Sequence, residues 1–534
     1  MTNMLGVFRR PAARVVAALG LAALGLTAPS PPAYAGNYTS ISGAGSSWAS
    51  VAIDQWASDL RPQGLVANYS PIGSASGRVG YIQNQYDFAG SDPPFRDGND
   101  ELGNTGREVV PWSYSYVPDT AGGTAFMYHI VENGHLVTNL RLSPSVLIGI
   151  FTGTITNWDD PRITKIYGAQ LPNLPITPVV RSDGSGATYF LTRWMAHLDQ
   201  SAWNAFCQKV HPGVKLPCPQ TEFYPANWGN AKAENGSVNV ANYITSSYGD
   251  GSIGYDEYAY ALNSHYPVVQ VLNPAGYFVG PTASNVAVAL TKAIINEDQS
   301  SPNFLQQDLD SVYTFTDNRS YPLSSYSYLI VPRNPKPPTI FNSPSGKGRT
   351  LSTYIHYMLC AGQQQMAPLG YSPLPLNLVK GGLLQVSHLP GFAPGTDTLS
   401  NCNNPTFNSR GQLTILLTAK HPTACQKLGA PLNCKVVNGK AVATSPGSST
   451  TNNSNGGKGP GSSTTGPGSS TGPGGTTGTT GPSGGTVQTQ LVSLPADQSS
   501  QTALGVVTAL GIVAALAVPP VLGIWLRRRR QAHG

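Results

Sequence analysis

Four short segments of this chain carry glycine, serine and a few charges at a spacing that chemistry can use. They are Gly43-Ala44-Gly45-Ser46-Ser47-Trp48, Gly73-Ser74-Ala75-Ser76-Gly77, the stretch DFAGSD from Asp87 to Asp92, and Arg181-Ser182-Asp183-Gly184-Ser185-Gly186. Each falls where an extended run gives way to a helical pattern. A helix start offers backbone N–H groups without partners and the positive end of the helix dipole, so it favours an anion. One such junction ordinarily means a cap or a turn. Four in order, with an arginine and an aspartate among them, point to anion recognition.

The two charge types narrow the anion. Arg181 can give a charge-assisted, two-pronged contact to an oxyanion. Asp92 beside an anion makes sense where the ligand itself carries a proton. Phosphate does at neutral pH and sulfate does not, so a buried carboxylate would accept the P–OH and repel the unprotonated competitor. Asp183, two residues from Arg181, would orient the guanidinium; the plain alternative for that pair is a surface ion pair. Hydrolytic chemistry has little support. The Gly73–Gly77 segment has alanine where a nucleophile elbow needs serine, and the nine histidines show no HExxH or paired spacing.

The elements that must hold these junctions alternate. Thr39–Gly43, Leu65–Pro71, Tyr86–Gly90, Ala125–Val131 and Ile176–Arg181 read as strands, and Ser47–Leu60, Ser76–Asn84, Pro144–Phe151 and Tyr189–Leu198 as helices. Strand–helix alternation implies α/β lobes with central sheets. A folded region of about 36–440 is long enough for two of them.

The ends set the expected compartment. Residues 1–35 have a basic start (Arg9, Arg10, Arg14), an apolar run and Ala33-Tyr34-Ala35, the pattern of a signal peptide. Residues 502–526 are uncharged and about long enough to span a bilayer. Arg527–Arg530 follow, which keeps 527–534 cytoplasmic and everything before the span outside, a type I topology. Residues 445–501 are dominated by Gly, Ser, Thr and Pro, a stalk that cannot bury a core. The net charge of +6 is concentrated in these ends, three in the leader and four in the tail, leaving the exported part near −1. A nucleic-acid surface is therefore not indicated. The six cysteines lie in the exported part, and their order suggests local pairs Cys207–Cys218, Cys360–Cys402 and Cys425–Cys434 among many connectivities.

GAGSSW, GSASG, DFAGSD, VVRSDGSG and GSIGYDEYAYA (251–261), with TITNWDDPRI, YPLSSYSYLIV and LGYSPLP, resemble in this order the motifs of phosphate-binding receptors of ABC importers. The resemblance spans roughly 40–385. It implies a type II periplasmic-binding-protein fold, with one lobe from 36–118 and 283–392, the other from 119–282, and the ligand in the cleft. It places phosphate contacts on Ser47, Trp48, Ser74, Asp92, Arg181, Ser185, Gly186 and Ala187, with Asp183 behind Arg181, and implies no cofactor or metal and no catalysis. The partners it implies are inorganic phosphate and an ABC permease, and a monomer is expected. Ser47, Trp48 and Ala187 depart from the family pattern. Ala187 lacks a hydroxyl, a loss of roughly 1.5–3 kcal/mol toward a charged ligand, for which Thr188 could compensate by a small shift. Residues 393–444 lie beyond the resemblance and read as a small, disulfide-pinned, β-rich appendage, with LTILLTA and then CKVVNGKAV as its β segments. The alternative to uptake is a tethered phosphate sensor, scavenger or interaction protein on the same fold.

Overall fold

The computed structural model describes residues 38–98, 102, 106–341 and 346–444. The leader, stalk and apolar segment 502–526 lie outside them. Among the described residues no helix is long and apolar enough to cross a membrane.

β1 (Ile41–Gly45) leads into helix α1 (Ser50–Leu60), whose Ala52, Ile53, Trp56, Ala57 and Leu60 form one buried face at helical spacing. β2 (Ala67–Ser70), α2 (Ser74–Ile82) and β3 (Phe88–Ser91) follow. β1 lies between β2 and β3, parallel to both. Gly45 holds φ +141°, where L side chains rarely sit, against the Gly90 carbonyl, and a Cβ on Gly77 would meet the Gly45 backbone. The first two anion-type junctions are thus packed backbone to backbone.

β4 (Tyr114–Tyr128) is the long element of the fold, and all but its first residue are buried. Helix α3 (Pro144–Phe151) then precedes β5 (Thr177–Arg181), α4 (Gly186–Leu198), β6 (Lys232–Glu234), α5 (Gly236–Thr245), β7 (Ser252–Glu257) and α6 (Tyr258–Asn263). The chain returns through β8 (Ser324–Pro332), α7 (Lys347–Leu359) and α8 (Leu376–Val386). The main sheet has the order β2-β1-β3-β8-β4-β7-β5-β6. β4 pairs antiparallel with β8 from Tyr114 to Gly123, then antiparallel with β7 from Thr124 to Tyr128. One strand therefore serves both halves of the sheet, and its partner changes at Gly123/Thr124. Each half is parallel away from this seam, with helices covering its faces.

Several boundaries differ from the sequence reading. α1 begins at Ser50, so Ser47 and Trp48 lie in the loop before it, and α2 and α4 begin earlier than read, at Ser74 and Gly186. Of the strand read at Ala125–Val131, residues Ala125 to Tyr128 are the end of β4 and Val131 opens a separate two-residue strand, and the boundary at 118/119 falls inside β4. In the appendage, the run LTILLTA is not a strand: Thr414–Leu417 forms a helical turn. Only β9 (Cys434–Val437) and β10 (Lys440–Ala443) make a β-hairpin there.

All three disulfides join the cysteines that lie near each other in sequence: Cys207–Cys218, Cys360–Cys402 and Cys425–Cys434. The second spans 42 residues and ties the start of the appendage to the end of α7. Cys402→Ser should lower unfolding stability by about 2–4 kcal/mol, the usual effect of opening a loop of this size. Denaturant titration checks this; an unchanged midpoint would mean that packing alone holds the segment.

Candidate anion site

The four junctions converge where the two halves of the sheet face each other. Their contact is direct: the Ala75 N–H at the start of α2 donates to the Gly184 carbonyl before α4, at 3.1 Å. A Cβ on Gly186 would fall 2.0 Å from Asp92 Oδ2, so the start of α4 reaches the carboxylate because residue 186 has no side chain.

Arg181, at the end of β5, is buried with its charge intact. Its Nε and Nη2 both donate to Asp183, making a two-pronged pair. Nη2 also donates to Ser47 Oγ at 2.8 Å, and Nη1 reaches Ser237 Oγ at 3.3 Å and Asp256 Oδ2 at 3.5 Å. Both Arg181 and Asp183 are nearly sealed from solvent, so this is no surface ion pair. Asp183 also accepts the Gly236 N–H at 3.0 Å, which docks the start of α5 against the same group.

Asp92 is equally buried. Ser46 Oγ donates to both its oxygens, at 2.9 and 3.0 Å, and Ser74 Oγ donates to Oδ2 at 3.3 Å. Burial pushes its carboxyl above the ordinary range, while the serine hydroxyls and Arg181 pull the other way. On β4, Asp119 is pushed well up by burial and by the Asp92 charge.

The backbone completes the site. The N–H groups of Ser47, Trp48, Ser74, Gly186 and Ala187 donate to no protein acceptor among the described residues. The carbonyls of Ser47 and Trp48 are held by the Tyr260 and Tyr371 hydroxyls, which fixes how those peptides point. Ser185 stands at the N-cap of α4 without capping it, and its own N–H is bound to the Glu222 carbonyl. Trp48 packs edge-on against Tyr371, so its indole serves the core. Thr188 Oγ1 lies 2.7 Å from the Tyr255 hydroxyl, which accepts the Arg181 backbone N–H at 3.3 Å.

The structure buries Ser47, Trp48, Ser74, Asp92, Arg181, Ser185, Gly186 and Ala187, links Ser47 to Arg181 and Ser74 to Asp92, and sets the Asp183 side chain against Arg181. Sequence reasoning missed Ser46, Asp119, Ser237, Asp256, Tyr260 and Tyr371. Asp256 sits inside the motif GSIGYDEYAYA and was legible as a charge, but nothing in that motif says that it meets Arg181. Among the described residues no group of three or more His, Cys, Asp or Glu is arranged to hold a metal ion.

A family model described as a PBP superfamily domain matches residues 30–361. The phosphate-binding protein PstS of Xylella fastidiosa is 30% identical over 345 residues, covering 64% of this chain and 83% of that protein. PstS of Methanocaldococcus jannaschii is 29% identical over 346 residues, covering 63% and 82%. A solved phosphate-binding protein from Stenotrophomonas maltophilia aligns with a TM-score of 0.46 at 16% identity, over 68% of this chain and 99% of its own. The chain belongs to the PBP superfamily and, within it, to the family of phosphate-binding solute receptors.

A second buried cation lies beside the site. Arg78 of α2 donates from Nε to Glu108 at 2.8 Å, from Nη1 to Ser91 Oγ at 2.9 Å and from Nη2 to Glu222. Glu222 belongs to the half of the sheet that carries α4, so this ion pair crosses between the halves, with both side chains fully buried. Arg78→Met would remove the buried cation that Glu108 and Glu222 share, while Glu108 keeps its contact with Arg96. It should cost about 3–5 kcal/mol of stability, measurable by thermal or denaturant unfolding; a loss below about 1 kcal/mol would mean that water reaches the pair.

Proposed function

We propose that this protein binds inorganic phosphate between the two halves of its sheet, outside the cell, and delivers it to an ABC permease. The observation that carries the reading is a buried carboxylate, Asp92, set among partnerless N–H donors and facing a buried arginine. Donors and cation attract an oxyanion. The carboxylate accepts a hydrogen bond only from an anion that keeps a proton, which favours phosphate over sulfate. The ligand set is Ser47, Trp48, Ser74, Asp92, Arg181, Ser185, Gly186 and Ala187, with Asp183 holding the guanidinium in place. Support also comes from the relatives, which are named as phosphate-binding proteins.

The signal-peptide pattern, the stalk and the apolar segment followed by four arginines support a tethered protein of type I topology. The tether keeps the receptor near the membrane where a permease would take up its ligand. Protease treatment of intact cells should remove the folded region and leave a short membrane-bound C-terminal fragment. Full protection of the chain would rule this topology out. Phosphate uptake should fall when the gene is deleted, whereas unchanged uptake would favour a sensor or scavenger.

Calorimetric titration of the ligand-stripped protein should show heat with phosphate and none with sulfate. Removing one charge-assisted contact, as in Arg181→Ala or Asp92→Ala, should weaken phosphate binding by roughly 10- to 150-fold, the range for hydrogen bonds to charged groups. Equal binding of sulfate, or unaltered binding in both variants, would remove Asp92 and Arg181 from the site.

A further inference from the structure

Two residues outside the proposed ligand set complete the surroundings of Arg181. Ser237 is the second residue of α5 and is fully buried. Its Oγ lies 2.7 Å from Ser47 Oγ, 3.3 Å from Arg181 Nη1 and 2.8 Å from Asp256 Oδ1. Its N–H donates to Ser47 Oγ at 3.2 Å. A serine at this position ordinarily caps or lines a helix start, but here the N-cap is Asn235 and the Ser237 hydroxyl faces a guanidinium, a carboxylate and another hydroxyl. Asp256, at the end of β7, also accepts the Glu257 N–H on Oδ1, while its buried Oδ2 accepts no hydrogen bond and lies 3.5 Å from Arg181 Nη1.

We propose that Ser237 supplies the side-chain hydroxyl that Ala187 lacks, and that Asp256 decides whether that hydroxyl is free to bind the anion. The inference rests on the phosphate reading above and names further residues of the same site. A serine has one proton to donate. While Asp256 is ionised, that proton goes to Oδ1, and the Ser237 oxygen turns its lone pairs to Arg181. When Asp256 takes up a proton, it donates to Ser237, and Ser237 donates to the anion. The switch moves hydrogen bonds and makes or breaks no covalent bond other than the O–H of Asp256.

The surroundings of Asp256 fit this role. Burial pushes its carboxyl up to about 6, although Arg181, the Ser237 hydroxyl and the Glu257 N–H all hold it down, and Asp183 adds to the rise. The groups that face it are Arg181 from β5, Asp183 from the following loop, Ser237 from α5, Glu257 on its own strand, Tyr260 from α6 and Tyr371 from the loop before α8. From β4, Ala125 pairs with Asp256, and Met127 lines the same small cavity. An anion bound nearby raises this carboxyl further, so binding takes up protons and affinity grows as pH falls through the region around 6.

The test is phosphate titration of the full-length protein between pH 5 and 8, alone and as Asp256→Asn and Ser237→Ala. Phosphate's own ionisation is common to all three and cancels in the comparison. Oδ1 of Asp256 also accepts the Glu257 N–H, so in Asp256→Asn the amide oxygen keeps that place and accepts the Ser237 proton at every pH. Asp256→Asn should therefore lack the roughly tenfold gain that the unsubstituted protein shows between pH 8 and pH 5, the size of one hydrogen bond to a charged group. Ser237→Ala should lose about tenfold at pH 5 and little at pH 8. If either variant fails to fold, proton uptake by the unsubstituted protein, read as heat in buffers of different ionisation enthalpy, gives the same answer: uptake beyond that of phosphate supports the coupling, and none overturns it. Phosphate binding whose pH dependence is the same in all three proteins overturns this inference alone. No phosphate binding by the unsubstituted protein at any pH overturns the phosphate reading with it.

Discussion

A guanidinium taken out of water must find acceptors for its N–H groups or it will not stay charged inside. Arg181 is 1% exposed, and its acceptors come from four places: Ser47 before α1, Asp183 after β5, Ser237 in α5 and Asp256 in β7. None of these segments can shift without stranding a buried charge. The same requirement recurs at Arg78, whose carboxylate partners stand in different halves of the sheet. The architecture is thus pinned at its centre by two cations. The apolar core, with Trp48, Trp56, Trp158, Trp194 and Trp203 all buried, fills the space around them.

The charge balance of the site follows from that arrangement. One guanidinium faces Asp183, Asp256 and, further off, Asp92. With all three carboxylates ionised the cluster would repel an anion. Burial opposes that state, pushing Asp256 up to about 6 and raising Asp92 as well, while the serine hydroxyls and Arg181 hold Asp92 back toward the carboxylate. On the phosphate reading proposed above, selectivity would lie in proton count as much as in shape, with backbone donors supplying the attraction and the acids setting which protonation states can enter.

The junctions were legible because glycine and serine in short runs have few structural uses, and their order along the chain added further information. The first ten residues of β4 were not. Pro118, Asp119, Gly122 and Gly123 argue against a central strand, yet Tyr114–Gly123 pairs along its length with β8. A register irregularity between Tyr326 and Tyr328 leaves Asp119 and Thr120 out of the pairing there, while Pro118 stands opposite Tyr328. LTILLTA misled for a different reason: a short apolar run carries no period that separates strand from helix. The meeting of Ser237 and Asp256 with Arg181 was invisible because it depends on the sheet order β7-β5-β6, which brings the ends of β5 and β7 and the start of α5 to one place. Local sequence holds no trace of that adjacency.

The position of β8 has a consequence for the order in which the molecule can be made. It lies between β3 and β4 in the sheet but is the last of the eight strands to leave the ribosome or cross a membrane. The half built on β7, β5 and β6 can close against the end of β4 as soon as residue 257 is available. β1, β2 and β3 must wait, with one edge of β3 and most of β4 unpaired, until residue 332 arrives. During that interval the amino-terminal strands present open edges that any extended chain could occupy. The later half of the polypeptide therefore acts as the closing piece of the earlier one, and a chain halted before Ser324 would hold one finished half beside a sheet that lacks its central strand.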